Sequence, residues 1–343
     1  MMPKRDLLRF LVRGFRGFGL RFVKSAVKLA IGRKPLFYAQ DLFFLAYLRH
    51  LLGLSPMRIS SKLVNYSSEG GGSHAVLTMT VIDFARTLGL DYVHTPFVEI
   101  HHADRPREAW LAAWEGLFNF GAGEGRAEDT DRDVFSITPI NFDPIRSLFD
   151  DLRPYNEHDT HLVPQFSPEV VGEFRRKYYS NKSPRNNVEL TVCVHIRRFN
   201  AGDDNLSYVA SFSRMGRTLA GVRAVLAEQR IDHVVRIISQ GHVSEFPENL
   251  LTGVELLLDA DPIRSLEELI EADVLLSSRG SFSYVAGVLC DGIVICEPFY
   301  PPQRDWLVCD PDGAFDADAF TRRLGQTTTR ASGSASPATS ALV

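Results

Sequence analysis

The chain has 343 residues, of which 45% are hydrophobic and 23% charged, a globular composition with enough length for two domains. Its formal charge of −4 is unevenly spread, because residues 1–34 carry +9 and the rest of the chain carries −13. An acidic body without a recognition motif argues against nucleic-acid binding. Four cysteines without CxxC spacing argue against a disulfide framework and for a reduced, cytoplasmic compartment.

The first predicted element is a basic amphipathic arm over residues 1–34. Within residues 5–31, arginine and lysine recur every three or four positions, and phenylalanine and aliphatic residues lie mostly away from them. No run of about 18 uncharged apolar residues occurs there, which argues against a transmembrane helix. Two interpretations stay open: a helix bound to an anionic membrane surface, peripheral on its inner face, or a helix packed on the body.

A helical connector is predicted for residues 35–61, and a first Rossmann-like domain for residues 62–168. This domain begins with a glycine loop that leads into a helical pattern and has a histidine at its start; the residues are Gly70, Gly71, Gly72 and His74. Backbone N–H groups in such a loop can approach an anion or a sugar hydroxyl closely. The alternative is an ordinary flexible loop.

A second Rossmann-like domain is predicted for residues 169–324, because strands and helices alternate there. The predicted strands are 188–196, 233–239, 254–258, 273–277 and 292–296, separated by helices near 212–229, 246–251, 264–271 and 281–290. Near-continuous apolar strands alternating with helices indicate an α/β fold with a parallel sheet covered on both faces. The Ser/Thr/Ala-rich segment 325–343 is predicted to be a disordered tail.

Ligands bind such sheets beyond the carboxyl ends of the strands, so the residues at those ends are the candidate site. Arg197 and Arg198 follow the first strand of the second domain, and Ser239 and Gln240 close the next. Guanidinium groups form paired hydrogen bonds with phosphate, so the arginines can hold a diphosphate. The alternative is a salt bridge with Asp203, Asp204 or Asp259. Since neighbouring strand residues point to opposite faces, one arginine can face a ligand while the other braces the site.

Another candidate is the turn that follows strand 273–277. It runs through a glycine into a helix predicted to be capped by its first serine; the residues are Arg279, Gly280, Ser281, Phe282 and Ser283. The N–H groups and hydroxyls at such a helix start can bind a phosphate. An ordinary capped helix is the alternative. His195, inside the first strand, fits the role of a core histidine bonded to a neighbouring strand.

Together these stretches resemble a known enzyme family. "VHIRRFN" resembles the HxRR motif of the fucosyltransferase superfamily that makes α1,2-, α1,6- and protein O-linked fucose, and "EELIEADVLLSSRGSFSYVAGVL" resembles its serine turn. "EGGGSHAVLTMTVIDFARTLG" resembles its N-terminal glycine loop and helix. The similarity spans roughly residues 65–300 through short motifs. It departs at Phe199-Asn200, where the family has Gly-Asp, and at Tyr284-Val285, where it has Trp-Trp.

The resemblance implies a GT-B-like fold, with the acceptor beside the first domain and the nucleotide sugar bound by the second. The donor would be GDP-fucose, used as a substrate without metal or other cofactor, and the acceptor a glycan or a lipid-linked molecule. Arg197 falls on the family's diphosphate-contacting arginine, with His195 and Arg198 beside it, and the serine turn lies on the phosphate side. The candidates for the general base are Asp203, Asp204 and His74.

Two rival hypotheses remain at this stage. The fold can be kept without activity, giving a nucleotide-sugar- or carbohydrate-binding protein, and the departures at Phe199 and Val285 fit that alternative. A Rossmann enzyme using NAD(P) is weaker, because no GxGxxG follows a strand. The Asp-x-Asp within residues 129–133 lies in a polar loop and not after an apolar strand, so it is a poor metal site.

Overall fold

The computed structural model describes residues 19, 39–62, 70–127, 133–149, 156–158, 161–163, 165–182, 189–198 and 209–333. The chain divides into two compact units, Met1–Lys182 and Ser183–Val343. The basic arm, apart from residue 19, lies outside the described residues, as do Asp203 and Asp204. Among the helices that are described, none combines the length and hydropathy needed to cross a membrane.

The first unit is built on a four-stranded parallel sheet in the order β3-β2-β1-β4. A short 3₁₀ helix, Ser147–Phe149, follows the fourth helix, and an antiparallel pair, β5 with β6, comes before the fifth. In chain order the helices and strands are α1 (Ala39–Leu51), β1 (Arg58–Ser61), α2 (Gly71–Leu88), β2 (Asp91–His94), α3 (Arg107–Phe118), β3 (Gly125–Arg126), β4 (Val134–Ile137), α4 (Pro139–Arg146), β5 (Asn156–His158), β6 (His161–Val163) and α5 (Pro168–Tyr179).

Strand β1 lies in the segment 35–61, which the sequence predicts to be a helical connector. The structure instead places it inside the sheet, between β2 and β4. Its two serines are buried and both find partners: Ser60 Oγ lies 3.3 Å from Ser136 Oγ, and Ser61 Oγ lies 3.0 Å from Tyr92 Oη. Burial of so polar a strand is tolerated because its hydroxyls are hydrogen-bonded.

Helix α5 belongs to the first unit, although the sequence analysis assigned residues from 169 onward to the second domain. Its Lys177 is buried, donates from Nζ to the carbonyl of Phe120 at 2.8 Å and pairs with Glu124 at 2.6 Å. Arg86, on α2, also pairs with Glu124 and with Glu173 of α5. This buried charge network fixes α5 to the first sheet's helices, and an alternation of strands and helices in sequence cannot reveal it.

The glycines at the start of α2 meet an aromatic cluster. Trp110 and Trp114 of α3 are buried and pack edge to face with ring centroids 5.5 Å apart. A Cβ on Gly71 would lie 2.5 Å from three carbons of the Trp114 ring. The absence of a side chain at 71 is therefore a packing requirement, independent of any ligand.

We expect Gly71→Ala to destabilise the protein by about 1–3 kcal/mol, because overpacking a core costs that much and outweighs the better helix propensity of alanine. Gly116→Ala on α3 is the matched control, since its Cβ would meet nothing within 4 Å and should be neutral or stabilising. Urea unfolding of both variants measures the difference. If the Gly71→Ala protein is as stable as the wild type, the Trp114 ring can move aside without a cost in free energy.

The second unit contains a six-stranded sheet in the order β12-β11-β10-β7-β8-β9, with all strands parallel. A 3₁₀ helix, Val243–Glu245, follows the second of these strands in the chain. The elements in chain order are β7 (Leu190–Ile196), α6 (Phe212–Glu228), β8 (His233–Ser239), α7 (Glu248–Leu251), β9 (Glu255–Leu258), α8 (Pro262–Ile270), β10 (Val274–Ser277), α9 (Ser281–Leu289), β11 (Ile293–Cys296), β12 (Leu307–Val308) and α10 (Ala317–Gly333).

The predicted α/β class with two Rossmann-type parallel sheets is confirmed. All five strands predicted for the second domain are present within two residues of their predicted bounds. Two elements are additional: β12, which has only two residues, and α10, which continues to Gly333 and so enters the segment 325–343 predicted to be disordered.

The order of the second sheet creates a switch point between β7 and β10. From β7 the chain proceeds outward through β8 and β9, then returns to the other side of β7 with β10 and proceeds outward through β11 and β12. Such a reversal leaves a crevice at the carboxyl ends of the two central strands, which is where α/β sheets bind ligands. The side chains beyond β7 and β10 therefore form the candidate site.

Candidate functional site

Arg197 and Ser278 lie side by side at the switch point, each directly after the last residue of its strand. The backbone N–H of Arg197 donates to Ser278 Oγ at 3.2 Å, and the same oxygen lies 2.9 Å from Nδ1 of His195. The serine hydroxyl thus joins the ends of β7 and β10. These hydrogen bonds fix the backbone of Arg197, whose side chain is half-buried.

His195 is buried at the end of β7, with its ring centroid 5.5 Å from that of Phe282 on α9. Burial, reinforced by the positive charge of Arg197, lowers the pKa of His195 to about 3. The imidazole is therefore neutral at physiological pH, and its Nδ1 is engaged by Ser278. This environment matches the predicted core histidine bonded to a neighbouring strand.

Protonation of His195 should couple folding to pH. The unfolded chain takes up this proton below about pH 6.5, whereas the folded protein resists it until about pH 3, so stability is full above pH 6.5 and lost as the pH falls. We expect the free energy of unfolding to fall by up to about 1.4 kcal/mol per pH unit from this group alone. His195→Gln should remove that part of the slope. Equal slopes for both proteins between pH 6.5 and 4 would contradict the assignment.

Gly280 sits at the start of α9 and brings the helix against Arg197. Its φ of 97° lies in a region that favours glycine, and a Cβ there would lie 3.0 Å from Arg197 Cδ and 3.4 Å from Nε. The guanidinium-bearing chain therefore packs directly over the glycine. The N–H groups of the first turn of α9, which have no partner inside a helix, come beside an arginine.

The serine turn differs in detail from its prediction. Gly280, not Ser281, is the N-cap of α9, and no side chain caps the helix. Ser283 is fully buried, and its Oγ lies 2.9 Å from Ser277 Oγ at the end of β10. Its hydroxyl therefore ties the helix to the strand. The backbone N–H groups, together with the partly exposed Ser281, are what this turn presents at the sheet edge.

Arg198 braces the neighbouring segment. Its Nη2 donates to Glu245 at 2.5 Å, and its guanidinium carbon lies 4.8 Å from the ring centroid of Phe212 and 5.5 Å from that of Phe246. The two arginines thus differ in environment, as strand alternation predicts. The structure gives Arg198 an acidic partner that the sequence analysis did not name.

Of the two candidate residues at the end of β8, Ser239 bonds to the neighbouring strand and Gln240 is exposed. Ser239 Oγ donates to the carbonyl of Ile196 at 2.7 Å, so its hydroxyl holds β8 to β7. Gln240 is exposed beyond it. The N–H of Gly241 donates to the carboxylate of Asp259 at 3.1 Å, which links the loops after β8 and β9.

The candidate residues of the first unit lie at the start of α2. Gly70 is the N-cap, Gly71 and Gly72 form the first turn, and His74 is fully buried with its ring 5.9 Å from that of Phe97. An imidazole so enclosed is poorly placed to take a proton from an acceptor. The other two candidates for that role, at 203 and 204, lie outside the described residues.

The described residues do not form a metal site. In the described part of the chain, no group of three or more His, Cys, Asp or Glu side chains has the arrangement of a metal site. Of the acidic loop 129–133, only Asp133 is described. It forms an ion pair with Arg58 at 2.7 Å, and this arginine lowers the pKa of Asp133.

Two charged residues of the second sheet's edge were missed as site candidates. Glu297, directly after β11, is buried and forms ion pairs with Arg279, at 2.6 Å, and with Arg214 on the first turn of α6. Together with Arg197 the edge carries three guanidinium groups and one buried carboxylate. The sequence offered a partial signal, since Glu297 directly follows a predicted strand, but nothing distinguished Arg214 from the other polar residues of its helix.

No family model matches the chain, and no curated protein matches it in sequence. Several solved structures are similar in fold. A dodecameric iron-containing heptosyltransferase, TibC, in complex with ADP-D-beta-D-heptose has 13% identity, covers 78% of this chain and 67% of its own, and gives a TM-score of 0.35. A UDP-forming trehalose-phosphate synthase from Burkholderia xenovorans has 11% identity over 96% and 79%, with a TM-score of 0.30. Scores this low carry no argument about the chemistry of this chain.

Proposed function

We propose that this protein is a glycosyltransferase that moves a sugar, fucose from GDP-fucose, to a glycan or lipid-linked acceptor. The observation that carries the proposal is the switch point of the second sheet, where Arg197 packs over the glycine that starts α9. A guanidinium beside helical N–H groups suits a phosphate group. The choice of GDP-fucose follows the resemblance of "VHIRRFN" and the serine turn to the fucosyltransferase motifs.

In the proposed reaction, the bond between the sugar's anomeric carbon and the donor phosphate breaks, and GDP leaves with its charge held by Arg197 and the first turn of α9. Charge that develops on a leaving group is stabilised most by donors already fixed in place. Ser278 fixes the Arg197 backbone. A general base takes the proton of the attacking hydroxyl; Asp203 and Asp204 remain the candidates.

The proposal places the positive charge for the diphosphate on arginine and helix N–H groups, so transfer should not require a metal ion. The basic arm, residues 1–34, carries +9, whereas the rest of the chain carries −13. If the arm binds a membrane surface, the acceptor is a lipid-linked molecule there; if it packs on the body, the acceptor is a glycan in solution. Anionic lipid would attract that arm by about 1 kcal/mol per Lys or Arg near the surface.

The test is a thermal-shift panel of GDP, UDP, dTDP and CMP, each with and without EDTA, followed by GDP release from GDP-fucose. A ligand that binds only the folded state raises the midpoint of unfolding, so GDP should raise it most and EDTA should not matter. Binding without turnover would indicate the inactive alternative. No shift with any nucleotide would refute the proposal, and a shift abolished by EDTA would point to the acidic loop 129–133.

A further inference from the structure

Glu297 holds two arginines on a single oxygen. Nε and Nη2 of Arg279 both lie 2.6 Å from Glu297 Oε1, and Nη1 of Arg214 pairs with the same oxygen. The carboxylate side chain is 2% exposed, whereas the Arg214 and Arg279 side chains are 17% and 26% exposed. The buried acid thus holds two guanidiniums that both reach solvent at the sheet edge.

The second oxygen of Glu297 is not satisfied. Oε2 is buried and has no hydrogen-bond partner among the described residues, which is costly for a carboxylate. A carboxylate whose task was only to neutralise an arginine would be expected to use both oxygens in a bidentate pair. Here both arginines pair with Oε1, so neither forms a bidentate pair with the carboxylate, and the two positive charges lie close together.

The net charge of the cluster formed by Arg214, Arg279 and Glu297 favours the binding of an anion. Arg214, Arg279 and Glu297 together carry +1, and burial, followed by the positive charge of Arg214, lowers the pKa of Arg279. The Nε of Arg214 also donates to the carbonyl of Pro311 at 2.9 Å, which fixes its orientation. Two guanidiniums pinned this closely are less strained when an anion lies between or beside them.

The cluster adjoins the proposed donor site, since Arg279 precedes the glycine over which Arg197 packs. Glu297 itself continues the sheet, with its N–H donating to the carbonyl of Ser277 at 3.1 Å. The carboxyl edges of β10 and β11 therefore bring the cluster to the end of the serine turn. A diphosphate has two phosphate groups, and this edge offers two separate sets of donors.

We propose that Glu297 is a positioning residue that sets Arg214 and Arg279 to bind the second phosphate of the nucleoside diphosphate, while Arg197 and the first turn of α9 bind the other. The inference rests on the proposed function. It identifies a diphosphate, and not a monophosphate, as the group that the complete edge recognises.

Glu297→Gln tests the proposal through the sign of its effect. The substitution raises the charge of Arg214, Arg279 and residue 297 together from +1 to +2. If Glu297 acted only as a counter-charge, it would weaken anion binding in the wild type, and the variant would bind GDP more tightly. Positioning predicts the opposite: the dissociation constant for GDP should rise at least tenfold, while that for GMP should change less than threefold. Titration calorimetry with GDP and GMP on the full chain measures both. Glu255→Gln is the control, because Glu255 pairs with Arg236 at the exposed start of β9.

Unchanged or tighter GDP binding by Glu297→Gln would overturn the positioning role while leaving the proposed function intact. If that variant does not fold, Arg214→Ala replaces it, and the folded protein must lose its preference for GDP over GMP; a retained preference overturns the inference. A wild-type protein that binds GMP as well as GDP also overturns it. If the wild type binds neither nucleotide, the proposed function fails together with it.

Discussion

Replacing Arg197 with alanine is expected to weaken GDP binding by about 10–100-fold and sugar transfer by about 100–1,000-fold, with the fold retained. The side chain packs over Gly280 at the switch point of the second sheet, beside the first turn of α9. Its loss would remove the proposed charge-assisted contact to the phosphate in both the bound and the transition state. Calorimetry with GDP and the rate of GDP release from GDP-fucose measure the two effects.

Arg197→Lys should rescue little, because lysine keeps the charge but lacks the two-pronged geometry with which a guanidinium meets a phosphate. Arg217→Ala is the matched control for removing one arginine from this unit. That side chain is more than half exposed on α6 and pairs with Asp312, which is more exposed still. Wild-type donor affinity and turnover in the alanine variant would exclude Arg197 from the donor site.

Gly280→Ala should impair both stability and donor binding. The glycine's φ of 97° is strained for alanine, and the new methyl group would lie 3.0 Å from Arg197 Cδ. We expect a loss of about 1–3 kcal/mol in unfolding free energy. GDP affinity should fall at least tenfold, because either Arg197 or the first turn of α9 must move.

Gly325→Ala is the control for this substitution, since a Cβ at that position on α10 would meet nothing within 4 Å. Urea unfolding and calorimetry separate the two effects of Gly280→Ala. If the variant is less stable but binds GDP as the wild type does, the close packing of Arg197 on the turn is irrelevant to the donor. If both the unfolding free energy and the GDP affinity equal those of the wild type, the turn at residue 280 accommodates the methyl group without strain.

The second sheet could be predicted from sequence because its central strands β7, β10 and β11 are buried on both faces. Residues such as Val192, Val194 and Leu276 form near-continuous apolar runs, and each run is followed by a helical pattern. The first sheet could not be predicted as well, since β1 reads "RISS" and hides its serines by pairing them with Ser136 and Tyr92. Such burial depends on partners that are distant in sequence.

The sequence could predict where the candidate residues lie at the edge of the second sheet, but not what their side chains contact. Arg197 and the serine turn follow predicted strands, so position alone selected them. The roles of individual hydroxyls were not accessible: Ser239 and Ser283 bond to neighbouring strand and helix ends, and only coordinates show this. Arg214 was missed because its ion pair depends on a carboxylate brought to it by β11, which no local pattern encodes.

Hydrogen exchange of the full chain with and without GDP tests the central claim most directly, because it locates the nucleotide without any substitution. We expect slower exchange at the first turn of α9, residues 281–283, because bound phosphate would accept hydrogen bonds from those N–H groups, and at the end of β7, because phosphate held by the Arg197 side chain would steady that segment. Protection confined to the first unit, or binding of GDP without protection at either segment, would contradict it.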